Sequence, residues 1–203
     1  MRLCAGRVGR LVNLSSLGSD VGISHTTARE WLGILERSYI VLQLEPYFVN
    51  IGKRLIKSPK LYFYDVGLAC YLIGIQTAEQ LATHPLRGAL FENTVVIEAL
   101  KYRFNRGYRS NLSFFRDARG LECDLFYEMG RSIGAIEIKS GATVSSDYFR
   151  SLDRVANLVP AVLSKAVVYG GAGLQSRTDC EIVPLSGLTA LLQQFEDQEK
   201  RQR

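Results

Sequence analysis

Two apolar segments of this chain carry charges at matching offsets: Glu122-Cys123-Asp124 on the first and Glu137-Ile138-Lys139 on the second. Between them lies one short turn, Glu128-Met129-Gly130-Arg131-Ser132. With Gly130-Arg131 as a two-residue hairpin loop, glycine at the first position suits a type II′ turn. Met129 then pairs with Ser132 and Tyr127 with Gly134, which puts Asp124 opposite Glu137 and Glu122 opposite Lys139. Side chains alternate with period two. Residues 122, 124, 137 and 139 therefore share one face, and the apolar Leu125, Tyr127, Ile136 and Ile138 share the other.

Like charges directly opposite destabilise a sheet. Asp124 against Glu137 needs an offset: a divalent cation, the Lys139 ammonium or a protonated carboxyl. An all-oxygen donor set suits Mg²⁺ or Mn²⁺ better than Zn²⁺. The alternative is an ion-pair ladder, Glu122 with Lys139 and Glu137 with an arginine. A further carboxylate comes from residues 88–104, whose spacing predicts a helix. Glu92 falls in the middle of its apolar arc, among Phe91, Val95, Val96, Ala99 and Leu100, where a charge is costly unless paired or metal-bound. Glu98 falls on the polar side and reads as surface charge.

The rest of the second part alternates strand and helix: strands at 112–116, 122–127, 133–139, 166–169 and 181–184, helices at 147–158 and 188–195. This pattern predicts a three-layer α/β unit over 86–203. The chain divides near 76–86, where Gln76 to Gln80 and His84-Pro85 interrupt the patterning.

Residues 1–75 read as a winged helix-turn-helix. Asn13 or Ser15 caps a helix over 14–21, Gly22 turns the chain, and Ser24 caps a second helix of about 14 residues. Its apolar positions are Ala28, Trp31, Leu32, Ile34 and Leu35. Strands at 40–44 and 60–64 flank a wing whose turn is 50–54. Asp65 reads as the cap of a short helix through Leu72. Thr26, Thr27 and Arg29, beside His25, are the exposed candidates for contact with bases or phosphates. Lys53, Arg54, Lys57 and Lys60 are the wing's candidates for phosphates. Such a unit serves protein contacts as readily as DNA.

Charge agrees with this division. The net charge is +5, with 9 Lys/Arg against 5 Asp/Glu in residues 1–75 and 16 against 15 in the remainder. The basic excess at the front favours an anionic partner. No run of about 18 apolar residues predicts a membrane span. Cys4, Cys70, Cys123 and Cys180 form no C-x-x-C pair, so neither a zinc site nor a disulfide framework is expected, and the expected compartment is a reducing cytoplasm.

An acid on a helix, an Asp near a strand end and Glu-x-Lys on the next strand resemble the PD-(D/E)xK nuclease superfamily, through Glu92, Asp124, Glu137 and Lys139. Cys123 stands where that motif has proline. Taken in order, the helix-turn-helix, the run from Lys53 to Leu68, Gly88 to Asn93 and Glu137-Ile138-Lys139-Ser140 resemble the domain of unknown function 4143. The resemblance covers about residues 5–185. It implies a winged helix followed by a restriction-endonuclease-like domain, set C-terminal to a P-loop ATPase domain. No G-x-x-x-x-G-K-[ST] occurs in this chain, so ATP is expected to act only through an ATPase domain outside it, and the chain reads as a C-terminal piece or split product.

The functional expectation is a module that binds DNA and cleaves it by Mg²⁺- or Mn²⁺-dependent phosphodiester hydrolysis. The resemblance implies Asp124, Glu137 and the Ile138 carbonyl as metal ligands, Glu92 through water or at a second ion, and Lys139 for the attacking water. The alternative is a catalytically inactive, nuclease-like regulatory module of an ATPase. A transcription regulator with a ligand-sensing domain explains none of the acidic residues.

Overall fold

The computed structural model describes residues 1–48, 56–173, 175–177 and 179–201. It is mixed α/β, with an N-terminal helical region and a C-terminal sheet. Contacts divide it into two units: Met1–Glu45 with Lys57–Asn93, and Pro46–Ile56 with Thr94–Arg203. By contacts the second boundary falls at Asn93, inside a helix, a few residues beyond the break in patterning at 76–86.

The first unit contains α1 (Arg2–Ala5), α2 (Leu14–Val21), α3 (His25–Arg37), β1 (Val41–Leu44), β2 (Lys60–Phe63), α4 (Val66–Leu72), α5 (Ala78–Thr83) and the start of α6 (Arg87–Phe104). Local chemistry sets most of its boundaries. Asn13, not Ser15, caps α2 by accepting from Ser16 N, and Gly22 ends it at φ 76. Ser24 caps α3 through Thr27 N, and Asp65 caps α4 through Leu68 N. Helix α5 was not expected; it begins with a capping box in which Thr77 and Gln80 satisfy each other's backbone amides.

Strands β1 and β2 pair antiparallel, Val41 opposite Phe63 and Leu44 opposite Lys60. The turn predicted for the wing, 50–54, lies outside the described residues, and Pro46–Ile56 is grouped with the other unit. There Tyr47 N–H donates to Phe114 O at 2.7 Å, and the Tyr47 ring packs on Phe126 at 5.3 Å. Two residues of the predicted apolar stripe of α3 are surface instead: Trp31 is 52% exposed and Ile34 54%.

The second unit is built on a six-stranded sheet of β3 (Leu112–Arg116), β4 (Glu122–Met129), β5 (Ser132–Lys139), β6 (Val162–Tyr169), β7 (Gln175–Arg177) and β8 (Cys180–Pro184). The spatial order is β3-β4-β5-β6-β8-β7. Strands β3, β4 and β5 are antiparallel; β5, β6 and β8 are parallel, and β7 returns antiparallel along β8. The parallel step from β5 to β6 is made through α7 (Ser146–Leu158), which buries Leu152 and Val155 in a core with Phe126, Ala135 and Val167. Helix α8 (Leu188–Arg201) buries Leu188, Leu191, Leu192 and Phe195, an i, i+3, i+4, i+7 stripe. It lies on the opposite sheet face. A Cβ built on Gly134 would come within 2.3 Å of the Phe195 ring, so glycine there is a space requirement. Among the described residues no helix is long and apolar enough to cross a membrane.

Candidate active site

The β4–β5 hairpin has the register that its turn predicts. Met129 pairs with Ser132, Tyr127 with Gly134 and Leu125 with Ile136. Gly130 takes φ 62, while Arg131 is not among the positive-φ residues, as type II′ requires. The ladder stops at Leu125–Ile136. Beyond it the Asp124 side chain takes over from a main-chain acceptor: its Oδ2 accepts from Ile138 N at 2.8 Å. The first candidate carboxylate is thereby tied to the strand that carries the second.

Both carboxylates sit in protein interior. Asp124 and Glu137 are each 8% exposed. Strand β5 is buried along nearly its whole length, as a strand with neighbours on both edges and helices on both faces must be. Lys139 Nζ, at the end of β5, lies 2.6 Å from Glu137 Oε1 and 3.7 Å from Asp124 Oδ2. The Tyr148 ring of α7 faces the same ammonium at 5.4 Å. Glu137 Oε2 is buried with no hydrogen-bond partner among the described residues. Burial pushes the Glu137 carboxyl up to about 7; the neighbouring Asp124 charge adds to the rise, and Lys139 opposes it.

The neighbouring residues resolve into separate roles. Glu122 is opposite Arg116 on β3 and forms an ion pair with it at 3.1 Å. The Cys123 thiol is fully buried, within 3.4 Å of the Ile136 carbonyl. Burial, then the Glu137 and Asp124 charges, raise it well above the ordinary thiol range, which keeps it an inert filler at the position of the motif's proline. Arg150 pairs with Asp147 on the surface of α7 at 3.2 Å. No local pattern marked Tyr148 as a neighbour of Lys139; that contact is made across the strand-to-helix crossover.

Glu92 lies in the first unit. Its Oε1 accepts from Lys60 Nζ at 2.8 Å and from the Tyr62 hydroxyl. Lys60, expected on the wing for phosphate, is instead 2% exposed and committed to this ion pair. The next residue, Asn93, is fully buried and clasps β2: it accepts from Phe63 N and donates to Phe63 O, both at 2.8 Å. The carboxylate among apolar helix positions is thus held by an ion pair of its own unit, and the structure brings together Asp124, Glu137 and Lys139. Among the described residues no group of three or more His, Cys, Asp or Glu side chains is arranged to hold a metal ion.

On α3, His25, Thr26 and Arg29 are exposed and Thr27 is half-buried, its hydroxyl 2.9 Å from the capping Ser24 hydroxyl. Lys57 is exposed. Lys53 and Arg54 lie outside the described residues.

Comparison with known proteins agrees with the two-part sequence. Residues 1–79 match the family described as domain of unknown function (DUF8612), and residues 87–188 match domain of unknown function (DUF4143). Two curated relatives are uncharacterized protein Mb2031c of Mycobacterium bovis and uncharacterized protein Rv2008c of Mycobacterium tuberculosis. Each is 37% identical over 166 residues, which is 80% of this chain and 35% of the relative. The chain therefore spans about a third of the length of the curated relatives it matches.

Proposed function

The chain belongs to the family described as domain of unknown function (DUF4143), and from that premise we propose a metal-dependent DNA phosphodiesterase centred on Asp124, Glu137 and Lys139. The observation that carries this reading is Glu137 Oε2, a buried carboxylate oxygen with no hydrogen-bond partner among the described residues. It lies beside the Asp124 carboxylate and the Lys139 ammonium. Leaving such an atom unsatisfied costs free energy, and a cation would remove that cost.

The donor chemistry fits Mg²⁺ or Mn²⁺. Such ions take oxygen ligands, often from one or two carboxylates with waters and substrate phosphates completing the shell. Asp124, Glu137 and the main-chain carbonyl of Ile138 would hold the ion. When bound it supplies positive charge that polarises a phosphodiester and acidifies water. The chain's own residues do the rest. The Ile138 amide orients Asp124, and burial keeps bulk water from Glu137. Lys139, held by Glu137 and faced by Tyr148, offers its ammonium to the charge that develops on phosphate oxygens.

The order of elements supports the finer fold. In the second unit an antiparallel β3-β4-β5 meander leads into a parallel β5-α7-β6 step with helices on both faces, as in restriction-endonuclease-like domains. In the first, α2, Gly22 and α3 followed by paired strands support a helix-turn-helix. Thr26, Arg29 and Lys57 are its exposed candidates for DNA. A P-loop ATPase partner belongs to the same proposal, with ATP acting through a segment or chain other than this one.

A second reading rests on the 2.6 Å Lys139–Glu137 pair: a site closed by its own lysine, serving as a non-catalytic module. Incubation with plasmid, linear and branched DNA in Mg²⁺ or Mn²⁺, beside Asp124→Ala and Lys139→Ala, separates the two. Cleavage by the unaltered chain that both substitutions abolish supports the enzyme. Cleavage that survives them overturns the site, and no cleavage of any substrate favours the closed module.

A further inference from the structure

The last turn of α6 and the loop after it read Lys101-Tyr-Arg-Phe-Asn-Arg-Gly-Tyr-Arg109, alternating cations and rings without an acid. Two of the four cations are locally accounted for: Lys101 pairs with Glu98 at 2.7 Å and Arg103 with Glu196 at 3.3 Å. A cation in a last helical turn also complements the helix dipole. Neither account reaches Arg106 and Arg109. They lie beyond the helix end at Phe104, are exposed, and among the described residues form no ion pair.

The rings are presented and not packed away. Phe104 is 46% exposed and Tyr108 55%. Tyr108 N–H returns to Arg103 O at 3.1 Å, and the Arg103 guanidinium lies 4.7 Å from the Tyr108 ring centre, which fixes that ring while leaving much of it open. Arg106 lies 3.6 Å over Tyr102. Beside Tyr108 is a cleft of about 300 Å³ bordered by Arg103, Lys200 and Gly130 of the β4–β5 turn. The cleft also contains acids, Glu128, Glu196 and Glu199. Their carboxylates accept from Ser113, from Tyr102 and Arg103, and from Ser132 respectively.

We propose that Lys101–Arg109 is a binding surface for single-stranded nucleic acid, in which Arg106 and Arg109 hold phosphates and Phe104 and Tyr108 stack unpaired bases. The choice of single strand follows from the rings. Every base has a face that an exposed ring can stack on, but a duplex hides those faces inside its own stack. The surface lies at the turn end of the β4–β5 hairpin, whereas Lys139 ends β5 at the other, about 20 Å away at ~3.3 Å per residue. A strand bound here is thus held remote from the carboxylates. The inference rests on nucleic acid being the partner under the proposed function, and not on cleavage.

The test is fluorescence anisotropy in EDTA, using a labelled oligothymidylate of about 15 nucleotides and a duplex of equal length, over a salt series. The unaltered chain is expected to bind the single strand more tightly than the duplex. Arg106→Ala with Arg109→Ala should lower the slope of log affinity against log salt by about 1.4, two phosphate contacts at ~0.7 each. Tyr108→Ala and Phe104→Ser should each weaken binding about fivefold or more with the slope unchanged, circular dichroism confirming the fold. Equal affinity for duplex, no binding by the unaltered chain, or single-strand binding indifferent to these substitutions would overturn the proposal. Single-strand binding through Arg106 and Arg109 in a protein that cleaves nothing supports this surface and removes only the catalytic reading.

Discussion

Lys139 engages Glu137 through one oxygen. Its Nζ is 2.6 Å from Oε1, while the buried Oε2 of the same carboxylate has no hydrogen-bond partner among the described residues. The pair is therefore half-satisfied, and its behaviour should depend on what reaches the second oxygen.

The first candidate is a proton. The Glu137 carboxyl is raised from 4.5 to about 7, chiefly by burial. A raised folded-state value means that the stabilisation is fully present below pH about 4.5 and is lost as pH climbs through about 7. A thermal unfolding series over that window should show stability falling by roughly 3 kcal/mol from this group. Glu137→Gln, which cannot ionise, should flatten that fall.

The second candidate is a divalent cation. Above pH 7 Mg²⁺ or Mn²⁺ should restore stability to the unaltered chain, by about 2.7 kcal/mol at a hundredfold excess over its Kd. Asp124→Asn and Glu137→Gln should remove the response. Calorimetric titration measures this without any substrate, and an equal response in all three proteins would place the ion elsewhere.

Glu92 should behave as a structural anion of the first unit. Its partner Lys60 has a side chain only 3% exposed. Glu92→Ala removes the carboxylate that this buried ammonium faces and should cost about 3 kcal/mol in urea unfolding. Glu92→Gln keeps an acceptor for the Tyr62 hydroxyl and should cost less.

Gly134 and Phe195 should be coupled. Gly134→Ala drives a methyl into the Phe195 ring and should destabilise by about 2 kcal/mol. Adding Phe195→Leu should recover part of that loss, so that the double substitution costs less than the two singles together.

Tyr148 tests how Lys139 is held. If the chain cleaves DNA, Tyr148→Phe should keep the rate within about twofold because the ring face persists, while Tyr148→Leu should lower it about threefold. Equal losses would show that the ring face at 5.4 Å is not what matters.

What the sequence revealed followed the range of the interactions. Asn13, Ser24 and Asp65 bond to amides three residues on, so side-chain type and spacing were enough to find Ser24 and Asp65 and to narrow the cap of α2 to Asn13 or Ser15. The register of β4 with β5 followed from Gly130, because a two-residue loop leaves no freedom in the pairing. Partners from distant elements were not legible. Nothing in Glu92 says that its cation comes from Lys60, 32 residues earlier, and helical spacing could mark the cost of its charge without naming what offsets it. Trp31 and Ile34 fit an apolar stripe and are exposed, since periodicity identifies a face but not the extent of what covers it. The short β7 was missed, as was α5, although Thr77 and Gln80 carry a capping-box pattern; an interruption in hydrophobic rhythm can hide an element with no buried residue of its own.

The assignment of Pro46–Ile56 to the second unit also bears on inheritance. The polypeptide leaves the first unit after Glu45, returns at Lys57 and leaves again after Asn93. Neither unit is one uninterrupted stretch of gene, so no single recombination breakpoint can transplant either one whole. A fusion joined between 79 and 87, where the two family matches meet, would strand the loop that carries Tyr47 with the wrong parent. Descendants of this arrangement are expected to vary in the two units together.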